Sequence, residues 1–527
     1  MSARGDDVKR GDKAHRVATG RKGMVATSHP DATAVGIEIL ESGGNAFDAA
    51  VAAALATCVC EPNANGLGGQ TMALFYDAST EKTVALDGSS RAPNRARPKT
   101  IPPEERKRGY KACTVPSSPA VYADIIDRYG KLPQEDIIAP SIRIAEQGYR
   151  ISAFQNAMTE RDLDDLRSGN AGEFFLKDGK EPYEPGEVFK QPVLAETLKR
   201  LKNQGWEDFY TGKIGETIIA DMEDNGGLLE ADDLAQIPWP IEREAEWGRW
   251  DGKRVASFPP AGAGRVLVQI LHVLEHTDKP LLDPDSPKGA VALARNIQQA
   301  LLDHRDEPRD PSRHAQMPEH RQGRKHTSLL ASRFARGISV PGETSHLSVM
   351  DAEGNAVGIT QSIEEFWGSC TVTPDLGFLY NNYIGAFEPD DPSHPYYLRP
   401  NAVPWSSVAP TIVFDKRKRP EKLLGSPGSN RISSAVAQVL LRMRLGEEPY
   451  DAVAAPRIHG AMDGRLHCEA DRMDDKVLET LADNDWDVVD QGPWALYLGS
   501  VQMVMRKKKG FLGVADPRRD GTAEGFD

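Results

Sequence analysis

The sequence has 527 residues, enough to bury a large core, and its 64 Lys and Arg against 78 Asp and Glu give a formal net charge of -14. An acidic chain argues against nucleic acid as a partner, because phosphate backbones attract basic surfaces. The longest apolar run, residues 49–60, is too short to span a bilayer, and residues 1–16 lack the apolar stretch of a secretory signal. We therefore expect a cytoplasmic protein with no membrane partner.

Neither cysteines nor histidines form a recognisable cofactor or metal motif. The cysteine number is odd and the spacing irregular, which does not favour a disulfide framework. The cysteines are Cys58, Cys60, Cys113, Cys370 and Cys468. Histidines are scattered through residues 303–343, but their spacings match no metal-ligand set. We predict no metal and no organic cofactor.

Taken in chain order, residues 1–22 are polar and are predicted to form a disordered N-terminal arm or an extended one. Residues 23–27 favour a first strand, and residues 30–40 a helix that closes at two glycines. Asn45 is a good N-cap for an alanine-rich helix that continues to about residue 57. The density of alanine predicts close packing of this helix against another element.

Two alternating runs, residues 341–350 and 356–362, flank a five-residue turn rich in Asp, Gly and Asn. This pattern predicts a β-hairpin. If the loop is 351–355, Met350 faces Ala356. Continuing this cross-strand register away from the turn places Thr344 opposite Ser362. By itself, such a hydroxyl pair is typical of ordinary cross-strand neighbours.

Two further segments frame the hairpin. Upstream, residues 303–343 are irregular and polar, which predicts a flexible connector. Downstream, the small residues 425–430 lead into a helix whose apolar positions recur at helical spacing from residue 432 to residue 443. Backbone N–H groups at such a helix start can stabilise an oxyanion, although an ordinary turn and cap has the same appearance.

The run TSHLSVMDAEGNAVGITQS (residues 344–362), together with GGNAFDAAVA (residues 43–52), resembles the gamma-glutamyltranspeptidase family of self-cleaving N-terminal-nucleophile hydrolases. Other matching segments extend the resemblance over roughly residues 23–525. The resemblance implies an α+β fold, a four-layer αββα sandwich. It also implies a cut between Glu343 and Thr344, giving a large-subunit segment (23–343) and a small-subunit segment (344–527) in one intertwined globular unit. Whether such pairs form a homodimer is left open.

In this family the residue at the position of Thr344 becomes a new N-terminus and the nucleophile. A threonine hydroxyl is a poor nucleophile at neutral pH, but a free α-amino group, with an unperturbed pKa of about 7.7–8.0, is a nearby base. The uncut chain is therefore expected to be a zymogen. The resemblance further implies that Ser362 orients the Thr344 hydroxyl, and that Gly428 and Ser429 donate backbone N–H groups to the oxyanion.

The positions that bind a gamma-glutamyl group in the family are mostly changed here. Ser89 stands where the family has a carboxylate-binding arginine, and Ala386 is one of three replaced amino-group ligands. The candidate substrate-binding residues of this chain are Arg91, Glu364, Tyr383, Ser406 and Ser407. Without the bidentate arginine, a substrate carboxylate loses binding free energy on the order of several kcal/mol. Glutathione is therefore a doubtful substrate.

Three functions follow from the resemblance. The first is an amidohydrolase or acyltransferase that acts on a gamma-glutamyl amide, as in glutathione metabolism, through an acyl-threonine intermediate. The second is a relative that hydrolyses another small-molecule amide, as cephalosporin acylases and oxamate amidohydrolase do. The third is a non-catalytic binding or structural protein. Retention of Thr344, Ser362 and Gly428 argues against the third, and the lost glutamyl ligands favour the second over strict gamma-glutamyl specificity.

Overall fold

The computed structural model describes residues 13–311 and 343–527. In this part of the chain, the strands, numbered along the sequence, form two seven-stranded sheets and two small ones. Sheet one has the order β1 (Val17–Gly20), β18 (Phe511–Ala515), β17 (Gln502–Arg506), β13 (Pro420–Gly425), β12 (Thr411–Phe414), β9 (Lys253–Ser257), β8 (Glu246–Trp250). Sheet two has the order β19 (Thr522–Phe526), β2 (Gly23–Thr27), β10 (Glu343–Asp351), β11 (Ala356–Glu364), β3 (Gln70–Asp77), β4 (Lys82–Gly88), β7 (Ile241–Arg243).

The small sheets are β14 (Ile458–Gly460), β15 (Arg465–Cys468) and β16 (Asp487–Asp490), and the pair β5 (Tyr149–Arg150) and β6 (Val188–Phe189). The helices before the hairpin are α1 (Pro30–Glu41), α2 (Ala46–Cys60), α3 (Ser118–Tyr129), α4 (Gln134–Gln147), α5 (Ala153–Arg161), α6 (Leu163–Ser168), α7 (Gly172–Phe175), α8 (Pro192–Gln204), α9 (Asp208–Thr211), α10 (Lys213–Asp224), α11 (Ala231–Ala235), α12 (Gly264–Glu275) and α13 (Pro287–Asp306). Those after it are α14 (Ile432–Arg444), α15 (Pro449–Ala454) and α16 (Asp475–Asp483).

Three apolar cores separate four layers. On one face of sheet two, Val349 packs in a core with α2 and its neighbouring helices. Between the sheets, Met350 shares a core with Leu423 of sheet one. On the outer face of sheet one, Leu424 packs with Val439 of α14. Because successive strand residues point to opposite faces, each sheet contributes to two cores. The layers follow the order αββα, as the fold class predicted.

The alanine-rich helix α2 lies at the centre of the first core. Asn45 accepts hydrogen bonds from the N–H groups of Phe47 and Asp48, and the Asp48 carboxylate accepts one from the Asn45 N–H, which completes a capping box. All residues of α2 are buried. Small side chains let sheet and helices approach α2 from several directions, and the predicted close packing is confirmed.

The prediction of a disordered arm is wrong for residues 17–20. These residues form β1, which pairs with β18 through Val17 and Val514. The buried Arg16 guanidinium donates hydrogen bonds to the carbonyl oxygens of Asp516, Arg519 and Gly521. A buried charge with several acceptors, followed by strand pairing, orders a segment whose composition alone suggested disorder. Residues 1–12 lie outside the described residues.

The predicted irregular connector begins later than expected. Helix α13 continues through Asp303 and ends at Asp306, and its apolar side, including Leu301 and Leu302, is buried. The amide of Gln269 on α12 donates a hydrogen bond of 2.5 Å to the Asp303 carboxylate. Packing therefore extends the helix into polar sequence. Residues 312–342, the rest of the predicted connector, lie outside the described residues.

Candidate active site

The predicted hairpin forms from β10 and β11. Met350 pairs with Ala356, and His346 with Thr360, in the register expected for a 351–355 turn. Beyond Ser345 the register shifts, so that Glu343 pairs with Glu364. β11 carries one extra residue between Gln361 and Glu364, so Thr344 faces a bulge of two residues, Ser362 and Ile363, instead of the single partner Ser362 that the sequence predicted. Glu364, directly after the bulge, has a left-handed φ of 80°. The irregularity falls at the expected cleavage bond.

A cavity of about 350 Å³ opens at this irregular end of the hairpin. Thr344 lines it, although only 6% of this residue is exposed. The other site residues predicted from the sequence that line the cavity are Glu364, Tyr383, Ser406, Ser407 and Ser429. Its volume falls within the usual range of small-molecule sites. The structure thus brings most of the predicted site residues to one cavity.

Ser362, Glu364 and Tyr383 form a hydrogen-bonded group at this end of the hairpin. The Glu364 N–H donates a 2.8 Å hydrogen bond to Ser362 Oγ. The buried Tyr383 hydroxyl interacts with Ser362, Gln70 and the Glu364 carboxyl. Burial, assisted by the negative charge of Glu365, raises the pKa of Glu364 to about 8. At pH 7 this carboxyl therefore carries its proton.

The loop proposed to hold the oxyanion lies between β13 and α14. Gly428 has a φ of +117°, a conformation that glycine adopts without strain. A short 3-10 turn, Ser429–Arg431, then leads directly into α14. Ser429 lines the cavity, and Asn430 accepts a 3.0 Å hydrogen bond from Ser407 Oγ. The loop is therefore tied to the cavity wall that Ser407 belongs to.

Arg91 is not among the residues that line the cavity. Its guanidinium donates a hydrogen bond of 3.3 Å to the side chain of Asn401, and its backbone bridges to Val115. Ser406 and Ser407, in contrast, both line the cavity. Of the two groups expected to bind the carboxylate of the acyl donor, Arg91 lies outside the cavity lining and only the pair Ser406 and Ser407 belongs to it.

Ser89, at the position of the family's arginine, is committed to another carboxylate. Its hydroxyl donates a 2.6 Å hydrogen bond to Asp87, and its N–H donates to the same oxygen. The other Asp87 oxygen pairs with Arg243 Nε at 2.5 Å. Arg243 is thus paired with Asp87, and the Ser89 hydroxyl is occupied by the same carboxylate, so neither group is held ready for a substrate carboxylate.

Of the aromatic rings that line the cavity and that the sequence did not assign to the site, four are in contact with one another, those of His304, His394, Tyr396 and Trp405. They form a continuous chain of ring contacts along one side of the cavity. The rings of His304 and Trp405 lie 4.1 Å apart, and Tyr396 contacts both Trp405 and His394. We refer to these four residues as the aromatic wall. The only sequence signal was Trp405 directly before the serine pair.

A second missed feature is a buried polar cluster at Ser345, the residue after Thr344. Ser345 Oγ donates a 2.7 Å hydrogen bond to Glu61 and accepts one from Arg519 at 3.0 Å. Ser28 also donates to the Glu61 carboxylate, and the Asn65 amide lies 2.9 Å from Ser345 Oγ. Because charges and hydroxyls here satisfy each other, the cluster fixes β10 immediately beside Thr344.

His346, two residues from Thr344, belongs to the closed part of the hairpin. One ring nitrogen lies 2.9 Å from Thr360 Oγ and the other 3.0 Å from Ser348 Oγ. Burial lowers the pKa of His346 to about 3, so the ring is neutral. A Cβ on Gly425 would lie 2.5 Å from this ring, which explains the glycine at that position. His346 is a packed structural group.

Within residues 13–311 and 343–527, no cluster of three or more Cys, His, Asp and Glu side chains is arranged to hold a metal ion. The five cysteines are free and buried. No helix of the described residues is long and apolar enough to span a membrane.

Comparison with known proteins decides the family. The model of the gamma-glutamyltranspeptidase family matches residues 32–526. The chain belongs to the gamma-glutamyltranspeptidase family. It is 31% identical to a glutathione hydrolase proenzyme of Bacillus subtilis, over 98% of this chain and 93% of that protein. It is 32% identical to the Acylase ACY 1 proenzyme of a Pseudomonas strain, over 84% and 83% of the two chains.

A solved structure of similar shape is the cephalosporin acylase of Bacillus halodurans, with a TM-score of 0.86, 26% identity and 97% coverage of both chains. The gamma-glutamyltranspeptidase of Helicobacter pylori aligns with a TM-score of 0.53 over 58% of this chain and 89% of that one. These matches confirm the resemblance and the N-terminal-nucleophile hydrolase fold. The protein is an enzyme of this family.

Proposed function

We propose that this gamma-glutamyltranspeptidase family member cuts itself between Glu343 and Thr344 and then cleaves a small-molecule amide through an acyl-Thr344 intermediate. The observation that carries the proposal is the position of Thr344 in the cavity that Ser429 and the serine pair also line. The relatives support it, because both the glutathione hydrolase and the acylase are named as proenzymes.

The geometry supports the following chemistry. In the described chain, Thr344 follows Glu343 within β10, so its nitrogen is an amide and cannot act as a base. After cleavage, the freed amine accepts the Thr344 hydroxyl proton while Oγ attacks the substrate carbonyl. Backbone N–H groups at Gly428 and Ser429 stabilise the oxyanion. The proton then passes to the leaving amine, and water or an acceptor amine releases the acyl group.

We further propose that the preferred donors lack the α-amino acid head group of a gamma-glutamyl substrate. Ser89 cannot replace an arginine, and the neighbouring Arg243 is paired with Asp87. Taking a zwitterion out of water without partners costs several kcal/mol. Glu364, protonated at pH 7, provides a neutral hydrogen-bonding group where an ammonium would need an anion.

Gamma-glutamyl amides, glutathione included, are the second candidate, and Glu364 favours them. Its carboxyl lines the cavity, and an ammonium group bound there would lower its pKa and make it a counter-ion. The two candidates therefore differ in the charge state of one residue.

The test compares kcat/KM of the purified, processed enzyme for a gamma-glutamyl anilide and for the matching glutaryl anilide, which lacks the α-amino group. We expect the glutaryl donor to be preferred at pH 7. A strong preference for the gamma-glutamyl donor that disappears in Glu364→Gln would establish the second candidate instead. The exposed Trp239→Ala variant serves as a control for general damage, since Trp239 lies outside the cavity.

A further inference from the structure

The cavity extends beyond what a short aliphatic acyl group would fill. Beside Thr344 and the serine pair, it is lined by the aromatic wall and by apolar side chains such as Phe387 and Met462. The Trp405 and His304 rings are inclined by only 31°, and Trp405 and Tyr396 meet edge to face. An arrangement of this kind binds a planar ring by stacking and edge contacts.

Two buried polar atoms of the wall have no hydrogen-bond partner among the described residues. They are the Tyr396 hydroxyl and the His304 Nδ1 atom. Tyr396 is 2% exposed, so water does not solvate its hydroxyl freely. Leaving such a group unpaired costs about 1–3 kcal/mol. A ligand substituent that pairs with either atom would therefore gain affinity and orientation.

Burial keeps the His304 ring of the aromatic wall neutral. Burial is the main cause, and the positive charges of Arg265 and Arg309 add to it, so that the pKa of His304 falls to about 3. A neutral imidazole can donate or accept a hydrogen bond and stacks without repelling a ring. A hydroxyl or carbonyl oxygen on the ligand can pair with a neutral imidazole or with the Tyr396 hydroxyl.

The family resemblance connects the wall with the acyl side of the reacting bond. Trp405 immediately precedes Ser406 and Ser407, which the family resemblance assigns to the acyl donor. Ser407 is also hydrogen-bonded to Asn430 on the oxyanion loop. A group stacked on Trp405 is therefore connected to the carbonyl under attack rather than to the departing amine.

We propose that the aromatic wall is a subsite for an aromatic acyl group that carries a hydrogen-bonding substituent. This inference rests on the proposed amide cleavage at Thr344. It specifies the substrate class as amides of arylalkanoic acids, with the aryl ring against Trp405 and His304 and its oxygen substituent near Tyr396.

The experiment measures kcat/KM for three anilides, of butanoic, 4-phenylbutanoic and 4-(4-hydroxyphenyl)butanoic acid. The phenyl donor is expected to exceed the butanoyl donor by about tenfold, the value of a well-formed ring contact. Trp405→Ala should reduce this ratio towards one, and Trp405→Phe, which keeps a ring, should restore part of it. Tyr396→Phe should remove only the additional preference for the hydroxyphenyl donor.

Binding is measured separately, by titrating the processed enzyme with 4-phenylbutanoate in a calorimeter, with Trp239→Ala as the matched tryptophan control. Saturable binding that is weakened in Trp405→Ala supports the subsite. If such binding is observed but no anilide is cleaved, only the proposed reaction is refuted. Anilide cleavage with equal kcat/KM for butanoyl and phenylbutanoyl donors, or a ratio unchanged in Trp405→Ala, overturns the subsite and leaves the reaction intact.

Discussion

His346 and Glu364 are two titratable side chains of one hairpin with opposite roles. Both have strongly shifted pKa values, about 3 for His346 and about 8 for Glu364, and loss of solvation is the main cause in each case. The His346 nitrogens are both hydrogen-bonded to hydroxyls within the closed core, whereas Glu364 lines the open cavity beside Thr344. A shifted pKa therefore indicates loss of solvation. It indicates a role in catalysis or binding only where the side chain can also contact a substrate in a cavity.

The largest expected effect separates two threonines of the hairpin. Thr344→Ala should stay uncut and have no amidase activity, because it lacks the hydroxyl that attacks the preceding carbonyl. Thr360→Ala, which removes the His346 partner, should still be processed. Denaturing gels show both outcomes. Processing of Thr344→Ala, or failure of a folded Thr360→Ala to process, would break the distinction between the two ends.

Ser362 and Ser348 form the next matched pair. Ser362→Ala should keep the fold but lower kcat by about 10- to 100-fold, because its hydroxyl connects the Glu364 N–H and Tyr383 near the nucleophile. Ser348→Ala, at the closed end, should leave kcat of the processed enzyme unchanged. Steady-state kinetics on fully processed protein measures both. An unchanged kcat in Ser362→Ala would show that Ser362 has no role in turnover.

The pH dependence of kcat/KM should reflect the ionisation of Glu364, which lines the cavity, and not that of His346, which is packed in the core. For the glutaryl donor, kcat/KM should rise as the Thr344 amine loses its proton and fall again as Glu364 ionises above pH 8. One unit above its pKa, about a tenth of Glu364 is protonated, so the loss at pH 9 is about tenfold. Glu364→Gln should lose the descending limb. A limb that persists in this variant would have to come from another group.

The smallest effect is on stability, and its sign differs for the two residues. His346 binds its proton only in the unfolded chain between pH 3 and 6.5, so stability falls as the pH drops through this window. Glu364 keeps its proton only in the native state between pH 4.5 and 8, so stability falls as the pH rises. Each slope is at most about 1.4 kcal/mol per pH unit.

Urea unfolding of the uncut Thr344→Ala chain, measured from pH 4 to 9, tests these slopes without subunit dissociation. Adding Glu364→Gln should flatten the alkaline side, and adding His346→Gln should flatten the acid side. Slopes that do not change in these double variants would show that neither group is shifted as the geometry requires.

The two ends of the hairpin also differ in how well sequence predicts them. Alternation and the turn at residues 351–355 determine the pairing from Met350 to Ser345, where both faces are buried and a one-residue slip would exchange the side chains between two cores. The shift at Glu343 depends on tertiary contacts, which periodicity does not contain. The capping box of α2 is local and was predictable, whereas Arg16 is ordered by acceptors some 500 residues away.

The candidate site shows the same division. Thr344, Ser429 and the serine pair could be placed from motifs, because these lie in short segments that match the family. The aromatic wall could not, since His304 and Trp405 are distant in sequence and meet only when α13 packs beside the loop at Ser406. Arg91 shows the opposite case. Its position near a segment that matches the family predicted a role in substrate binding, but in the structure its guanidinium donates a hydrogen bond to Asn401.

The central claim is that self-cleavage creates the nucleophile at Thr344. Mass spectrometry of the purified protein, before and after a brief reaction with the glutaryl anilide and an acid quench, tests it directly. We predict two chains, the smaller comprising residues 344–527, and a glutaryl adduct that peptide mapping places on Thr344. A single uncut chain with full amidase activity, or an adduct on any other residue, would contradict the account.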